Sequence, residues 1–219
     1  MLIDKPLDWT SFDVVRKIRS MIRIKKVGHA GTLDPLASGL LIVCTGKFTK
    51  KINEYMGMQK EYTGSFTLGA TTPTYDLEST PVELRPIDNI TDGQIHAATH
   101  PFTGSIQQVP PKHSAIKKNG QPVYLMAREG IDFTLEPRTI TIESFEITAI
   151  ELPKVYFKVV CTTGTYIRSL AHDFGQHLGC GAYLSGLRRT RIGNFAVEDA
   201  LTMEQWIAEA KQEIHIAKI

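Results

Sequence analysis

Residues 28–39 of the chain read GHAGTLDPLASG, and Asp34 is the only acidic residue of this stretch. Its glycines permit backbone bends that other residues resist, and Pro35 disfavours the α conformation at Asp34. These features predict a loop that holds one carboxylate in a defined pose, which suits a nucleophile. An aspartate that merely begins a turn before a proline would give the same pattern, so this stretch alone leaves both interpretations open.

The composition is that of an ordinary globular protein, with 219 residues of which 42% are hydrophobic and 22% charged. The longest apolar run, from Leu40 to Cys44, is too short to cross a bilayer, and the first residues lack the layout of a signal peptide. We therefore expect a cytoplasmic protein without membrane contact. Three cysteines without a C-x-x-C spacing indicate buried thiols and neither a disulfide framework nor a thiolate metal site.

Positive charge is concentrated around Asp34. Residues 1–60 hold 11 Lys or Arg against 5 Asp or Glu, whereas residues 61–219 hold 14 against 18. Such a local excess would attract a polyanion such as nucleic acid. Basic residues on one helix are also commonly its solvated face, so charge alone does not decide the function.

The spacing of apolar residues predicts a helix early in the chain and several strands further on. Thr10 or Ser11 caps this helix, and Asp13 gives its first turn a negative charge. The prolines at 110 and 111 predict a rigid basic loop between residues 104 and 120. The predicted elements are a helix over 11–23, a strand from Tyr62 to Leu68, a loop region over 70–92, a short helix over 92–99 and strands over 139–150 and 155–162.

A further helix is predicted to begin after Thr165 as its N-cap, which places Arg168 in the first helical turn. The helix macrodipole disfavours a cation there, so we expect an anion beside Arg168. Asp34 is the natural candidate, because a guanidinium and a carboxylate form a well-oriented pair. The alternative is a surface arginine that pairs with water or with Asp173.

Several motifs together resemble the TruB-type tRNA pseudouridine synthases, and they run through nearly the whole chain in the order found in that family. Any one of them could arise by chance, but the set is specific, and it includes the GTLDP core around Asp34. The segments are DKPLDWTS (4–11), GHAGTLDPLASGLL (28–41), KEYTGSFTLG (60–69), TTPTYD (71–76), PPKHSAIKKNGQPVYLMAR (110–128), GTYIRSLAHDFG (164–175) and LRRTRIGNF (187–195).

The resemblance implies an α/β fold of the pseudouridine synthase type, with a mixed, mainly antiparallel central sheet flanked by helices and loops. It implies isomerisation of uridine to pseudouridine at position 55 in the T loop of tRNA, by base flipping and without a metal or organic cofactor. Asp34 would be the nucleophile, Tyr62 would stack on the flipped base and help to remove the C5 proton, and Arg168 would pair with Asp34. The residues that would bind the substrate are His29, Asp76, Lys112, Tyr166 and Leu187.

The chain departs from the family pattern at Asp8, where glycine is usual, and at His113, where tyrosine is usual. Only 24 residues follow the LRRTRIGNF segment, whereas many relatives carry a C-terminal RNA-binding PUA domain. We therefore expect a catalytic domain over residues 1–199, a helical tail over residues 200–219 and no PUA domain. The expected partner is the T arm of tRNA, bound by a monomer.

Two other functions remain as alternatives at this point. The first is a tRNA-binding or folding module without turnover, but RNA binding alone needs no carboxylate beside the phosphates. The second is a small-molecule hydrolase that uses an aspartate. Steep weakening of binding by salt would separate the RNA-binding functions from this hydrolase. The histidine pair at 96 and 100 has a spacing compatible with zinc, but no partner residues complete a ligand set.

Overall fold

The computed structural model describes residues 1–114, 117–118, 121–128 and 133–216. The chain divides into two compact units, one formed by Met1–Thr63 with Gly186–Ile219 and the other by Gly64–Ser185. Two strands, β4 (Lys60–Leu68) and β10 (Ala182–Ile192), belong to both units along the chain. In the ranges that are described, no helix has both the length and the apolar character needed to cross a lipid bilayer.

The elements of the first unit, besides parts of β4 and β10, are β1 (Leu2–Lys5), α1 (Ser11–Ile22), β2 (Val27–His29), β3 (Ala37–Thr45), α2 (Ile52–Gly57), β11 (Phe195–Ala196), β12 (Leu201–Thr202) and α6 (Met203–Ile216). Its strands pair in the order β12-β1-β3-β10, with β2 added to β3 and β11 added to β10. The β1/β12 and β3/β10 pairs are parallel, and the β1/β3, β2/β3 and β10/β11 pairs are antiparallel.

Helix α1 begins as the sequence predicts. The Thr10 hydroxyl accepts a hydrogen bond from the Asp13 amide, and the Asp13 carboxylate accepts one from the Thr10 amide, each at 3.0 Å. This capping box satisfies donors that the first helical turn would otherwise leave unpaired. Helix α6 lies in the tail segment, and the proposed division at residue 199 stays a prediction.

Strand β3 is buried on both of its faces. Leu41 and Val43 pack on one side, in a cluster with residues of α1 and α6. Leu40, Ile42 and Cys44 pack on the other side, in a separate cluster. Because both faces are covered, the strand shows a continuous apolar run instead of an alternating pattern.

The elements of the second unit are α3 (Asp92–Ala97), β5 (Gly104–Gln108), β6 (Lys117–Lys118), β7 (Gln121–Pro122), α4 (Val123–Arg128), β8 (Arg138–Glu151), β9 (Lys154–Cys161) and α5 (Ile167–His177), with parts of β4 and β10. Strand β8 lies between β5 and β9 and pairs with both of them in antiparallel orientation. The core of this unit is aromatic, with the Phe66 and Phe157 rings stacked at 4.2 Å and the Phe174 ring 5.5 Å from the Phe66 ring.

The predicted fold class is confirmed, because helices accompany a mixed sheet whose pairs are mainly antiparallel. The predicted buried thiols are confirmed as well, since Cys44, Cys161 and Cys180 are all buried. The predicted rigid basic loop falls partly on residues 115–116 and 119–120, which lie outside the described residues.

Candidate active site

The stretch around Asp34 is shorter as a loop than the sequence predicts. Strand β2 includes Gly28 and His29, and β3 begins at Ala37, so only residues 30–36 connect the two strands. We call residues 30–36 the Asp34 connection. The outer glycines serve close packing: a Cβ atom on Gly39, whose φ is +106°, would lie 2.3 Å from the Arg189 carbonyl oxygen.

The backbone of the Asp34 connection is anchored on both sides of the carboxylate. The Ser11 hydroxyl accepts a hydrogen bond from the Leu33 amide at 2.9 Å and donates one to the Leu33 carbonyl at 3.2 Å. The Ala37 amide donates to the Asp34 carbonyl at 3.0 Å. Because these polar groups have fixed partners, the peptide units next to the Asp34 side chain are held in one orientation.

A buried arginine of β10 holds the start of the Asp34 connection. Arg189 is 1% exposed. Its Nη2 donates to the Gly31 carbonyl at 3.1 Å, its Nη1 to the Thr32 carbonyl at 3.4 Å and its Nε to the Leu40 carbonyl at 2.8 Å. One guanidinium therefore joins the connection to the strand that follows it.

A buried lysine lies at the other end of the Asp34 connection. Lys5 is fully buried, and its ammonium donates to the carbonyls of Pro6 at 2.8 Å, Trp9 at 2.6 Å and Pro35 at 3.5 Å. Burial lowers the pKa of Lys5 to about 8, and the negative charge of Asp34 opposes this shift.

The backbone amide of Asp8 also holds the Asp34 connection, since it donates to the Pro35 carbonyl at 2.9 Å. Asp8 has a φ of +63°, in the left-handed region that favours glycine. This conformation explains why the glycine that is usual in the family fits this position.

The three other site residues predicted in the first unit lie on strands. His29 is half-buried on β2, and burial lowers its pKa, which favours the neutral imidazole. Tyr62 is 8% exposed and lies inside β4, which begins at Lys60, two residues before the predicted start. Leu187 on β10 pairs with Ala37, the first residue of β3.

In the second unit, Arg168 is buried and lies beside Asp76. The Arg168 Nε is 3.6 Å from the Asp76 Oδ2, and both side chains are less than 10% exposed. The guanidinium also donates to the Thr74 carbonyl at 3.2 Å and to the His113 carbonyl at 2.9 Å. The alternative of a surface Arg168 is therefore wrong, and Asp76 supplies an anion near the N-terminus of α5.

The start of α5 is fixed by a glutamine. The buried side chain of Gln108 accepts a hydrogen bond from the Tyr166 amide at 2.8 Å and donates one to the Tyr166 carbonyl at 3.0 Å. The N-cap is Tyr166, and the prediction of Thr165 as N-cap is wrong. The Thr165 hydroxyl instead donates to the Thr162 carbonyl at 2.9 Å, so it is not available to the helix.

Lys112 is exposed, with its ammonium 5.8 Å from the centre of the Phe133 ring.

Tyr75 directly precedes the predicted site residue Asp76 in the sequence. Its ring stacks on the His172 ring, with 4.0 Å between the ring centres. Tyr75 has a φ of +64°, which is strained for a bulky residue.

The predicted site residues are thus divided between the two units. Asp34, Tyr62, His29 and Leu187 belong to the first, and the pairing of Asp34 with Arg168 stays a prediction. In the second unit, Arg168 and Asp76 are brought together. The remaining predicted residues of the second unit are Lys112 and Tyr166.

Four supporting residues are absent from the predicted site, and all of them lie inside sequence segments singled out above. Lys5 and Ser11 belong to the first motif and Arg189 to the last, while Gln108 precedes the two prolines at 110 and 111. Lys5, Ser11 and Arg189 share their motifs with other residues and Gln108 lies outside the motif over 110–128, so the sequence does not single out any of the four. In the described part of the chain, no three His, Cys, Asp or Glu side chains cluster as a metal site would require.

Comparison with known proteins identifies the family. The model of the TruB family pseudouridylate synthase N-terminal domain matches residues 19–167, and that of the tRNA pseudouridylate synthase B C-terminal domain matches residues 168–215. The chain is 52% identical to a tRNA pseudouridine synthase B of Flavobacterium johnsoniae, over 92% of this chain and 91% of that protein. It is 46% identical to a tRNA pseudouridine synthase B of Phocaeicola vulgatus, over 97% and 94% respectively.

Solved structures agree with this result. The chain resembles one in a Cbf5-Nop10-Gar1 complex with a TM-score of 0.73 and 33% identity, over 92% of this chain and 51% of that one. It also resembles a chain in an H/ACA RNP bound to a substrate RNA containing 2′-deoxyuridine, with a TM-score of 0.69 and 30% identity. It spans about half the length of these solved chains. By its matching domains and by its similarity to whole relatives, the chain belongs to the TruB family of pseudouridylate synthases.

Proposed function

We propose that this chain, a tRNA pseudouridine synthase by family, acts on the uridine at position 55 in the T loop with Asp34 as nucleophile. In the reaction the bond from N1 of uracil to C1′ of the ribose breaks, and a bond from C5 to C1′ forms. The C5 proton leaves and N1 gains a proton, so the change is an isomerisation without oxidation or reduction. The T arm is the part of the tRNA that this function requires the protein to bind.

The observation that carries the proposal is the anchoring of the Asp34 connection. The carbonyls of Gly31, Thr32, Leu33 and Pro35 all accept hydrogen bonds from Arg189, Ser11, Asp8 or Lys5. Covalent catalysis is most effective when the nucleophile is already held in its reactive position. A simple turn-initiating aspartate would not require four partner residues, three of which are buried.

Positive charge behind the connection supports the same role. Lys5 and Arg189 are both buried, and both hold carbonyls of the connection. The Lys5 ammonium lies at the Pro35 carbonyl, and the negative charge of Asp34 raises the pKa of Lys5 against the effect of burial. Attack at C6 of the base or at C1′ of the sugar requires an ionised carboxylate as the nucleophile in either case.

The reaction also requires the target base to leave its stack, which costs a few kcal/mol. Stacking on an aromatic side chain is worth about 1–3 kcal/mol per base, so we propose that Tyr62 offsets much of this cost. We propose that Arg168 supplies the cation of the site. The proposed substrate-binding residues are His29, Asp76, Lys112, Tyr166 and Leu187.

Tritium release tests the proposal. Unmodified tRNA with tritium at C5 of its uridines is incubated with the wild type, with Asp34→Asn and with Asp88→Asn, whose carboxylate is in an exposed turn. We expect about one equivalent of tritium per tRNA from the wild type and from Asp88→Asn, and none from Asp34→Asn. Full activity of Asp34→Asn would overturn the nucleophile assignment.

A second substrate tests the position. A transcript with cytidine in place of the uridine at position 55 removes the proposed target and leaves the other uridines intact. We expect no release from it. Unchanged release would overturn the position but leave the assignment of Asp34 intact, so the two results are separable.

A further inference from the structure

Among the described residues, Arg189 is the largest side chain that is fully buried, and the hydrogen bonds that its guanidinium donates there all go to carbonyls. Among the residues that the structure describes, no ion pair within 4.0 Å includes it. A buried cation without a carboxylate partner is costly to retain. A filler of the strand interface could be apolar, so the guanidinium calls for a reason beyond packing.

The three carbonyls define what the guanidinium does. Gly31 and Thr32 precede Asp34 in the connection, and Leu40 lies on the strand that follows it. The planar fork spans these groups from one fixed position, which the single ammonium of a lysine cannot reproduce. The backbone of Arg189 is fixed in turn, because Gly39 on β3 lies directly against it.

The charge of Arg189 also reaches the neighbouring groups. It lowers the pKa of Lys5 and that of His29, so the guanidinium lies close enough to act on both. The positive charge is therefore part of the electrostatic surroundings of the Asp34 connection.

We propose that Arg189 is a positioning residue, whose guanidinium fork fixes the connection that carries Asp34 and thereby sets the rate of the chemical step. This inference rests on the proposed role of Asp34. It differs from a structural role in one respect: loss of the fork lowers the rate of fully folded enzyme.

Neighbouring arginines of β10 allow a matched comparison. Arg188 is half-exposed and forms a two-bond ion pair with Asp4, at 3.0 and 2.7 Å, without any bond to a carbonyl of the connection. Arg189→Lys and Arg188→Lys both keep the charge and remove the fork. Arg189→Met removes the charge as well.

The measurements are the single-turnover rate at saturating tRNA, the dissociation constant for tRNA and the folded fraction at the assay temperature. For Arg189→Lys we expect the rate per folded molecule to fall about 10- to 100-fold, as small misplacements of reacting groups do, with affinity changed less than about threefold. For Arg188→Lys we expect a change in rate below about threefold. An unchanged rate for folded Arg189→Lys would overturn the proposal.

A double-mutant cycle separates positioning from general destabilisation. Ser11→Ala and Arg189→Lys release the same connection at different points, so their effects on the rate should be less than multiplicative. Independent, multiplicative effects would overturn the proposal. Asp34→Asn is measured in parallel: its activity would overturn the proposed function, whereas an inactive Asp34→Asn beside a normal Arg189→Lys would overturn only the inference about Arg189.

Discussion

The hydroxyl of Ser11 bonds both backbone polar groups of Leu33, at 2.9 Å to the amide nitrogen and 3.2 Å to the carbonyl oxygen. Ser11 is the first residue of α1, and Leu33 directly precedes Asp34. A small side chain at a helix start thus completes the hydrogen bonds of a segment far along the chain. The first turn of α1 therefore both begins the helix and holds the backbone next to the Asp34 carboxylate.

Replacement of Ser11 by alanine should destabilise the protein by about 1–3 kcal/mol, because it leaves the buried amide and carbonyl of Leu33 without partners. Urea unfolding at neutral pH measures this loss. Ser20→Ala is the control, since the Ser20 hydroxyl is exposed on the same helix and donates a hydrogen bond to the Lys17 carbonyl. Its effect should stay within about 0.5 kcal/mol. Equal losses for the two variants would contradict the explanation.

Local signals in the sequence predict the helices and strands that bury only one face, because their apolar residues recur with a regular period. Helix α1 has an apolar face of period 3.6 and a capping residue before it, and both features are present in the structure. In strand β4, Tyr62, Phe66 and Leu68 are buried as its sequence indicates, but Ser65 is buried as well, so the alternation is interrupted there. Strand β3 shows no such alternation because both of its faces are covered, and so its start inside the glycine-rich stretch is not predicted.

The residues proposed to take part in the reaction are recognisable from the motifs. The residues that hold the backbone around them in place are not. A lysine or arginine that bonds backbone carbonyls has no partner residue that a sequence pattern could reveal, as Lys5 and Arg189 illustrate. The prediction of Thr165 as N-cap of α5 fails for a related reason. The Thr165 hydroxyl donates to the Thr162 carbonyl, and the Gln108 side chain, from strand β5, accepts the hydrogen bond of the Tyr166 amide. Such choices depend on tertiary contacts that local propensity does not contain.

Replacement of Asp76 by asparagine should lower the free energy of unfolding by about 3 kcal/mol, because it removes the carboxylate that lies 3.6 Å from the buried Arg168 guanidinium. The carbonyls of Thr74 and His113 still bind the guanidinium, so the loss should lie at the lower end of the range for a broken buried pair.

The matched control for this change is Glu83→Gln, which removes an exposed ion pair with Arg85 at 3.2 Å. Its effect on the free energy of unfolding should remain below about 1 kcal/mol. Guanidinium chloride would screen both pairs, so urea unfolding is the appropriate measurement. A cost for Asp76→Asn no greater than that for Glu83→Gln would show that the buried pair contributes nothing of its own.

Lys5 should make the stability of the protein rise with pH. The folded state releases the ammonium proton near pH 8, whereas the unfolded chain keeps it to about pH 10.5. Between these values the unfolded state binds more protons, so the free energy of unfolding increases with pH. Urea unfolding of the wild type and of Lys5→Met across this window measures the effect as a difference. The free energy of unfolding of the wild type should increase relative to that of Lys5→Met as the pH rises from 8 to 10.5.

Lys17→Met provides the control for this pH series, because Lys17 is exposed on α1. Its difference from the wild type should stay constant over the same range. A constant difference for Lys5→Met as well would mean that the Lys5 ammonium remains protonated throughout.

Asp173 should have the opposite effect at acidic pH. Burial raises the pKa of Asp173 to about 6, from 3.8, and burial together with the charge of Asp173 raises the pKa of the Tyr75 hydroxyl. Between pH 4 and 6 the folded state therefore binds more protons at this site, and the contribution of Asp173 to the free energy of unfolding falls as the pH rises. Asp173→Asn removes this dependence, so it should gain stability relative to the wild type across that window. The exposed Asp92→Asn should show no such gain, and a flat difference for Asp173→Asn would place the Asp173 carboxyl in contact with water.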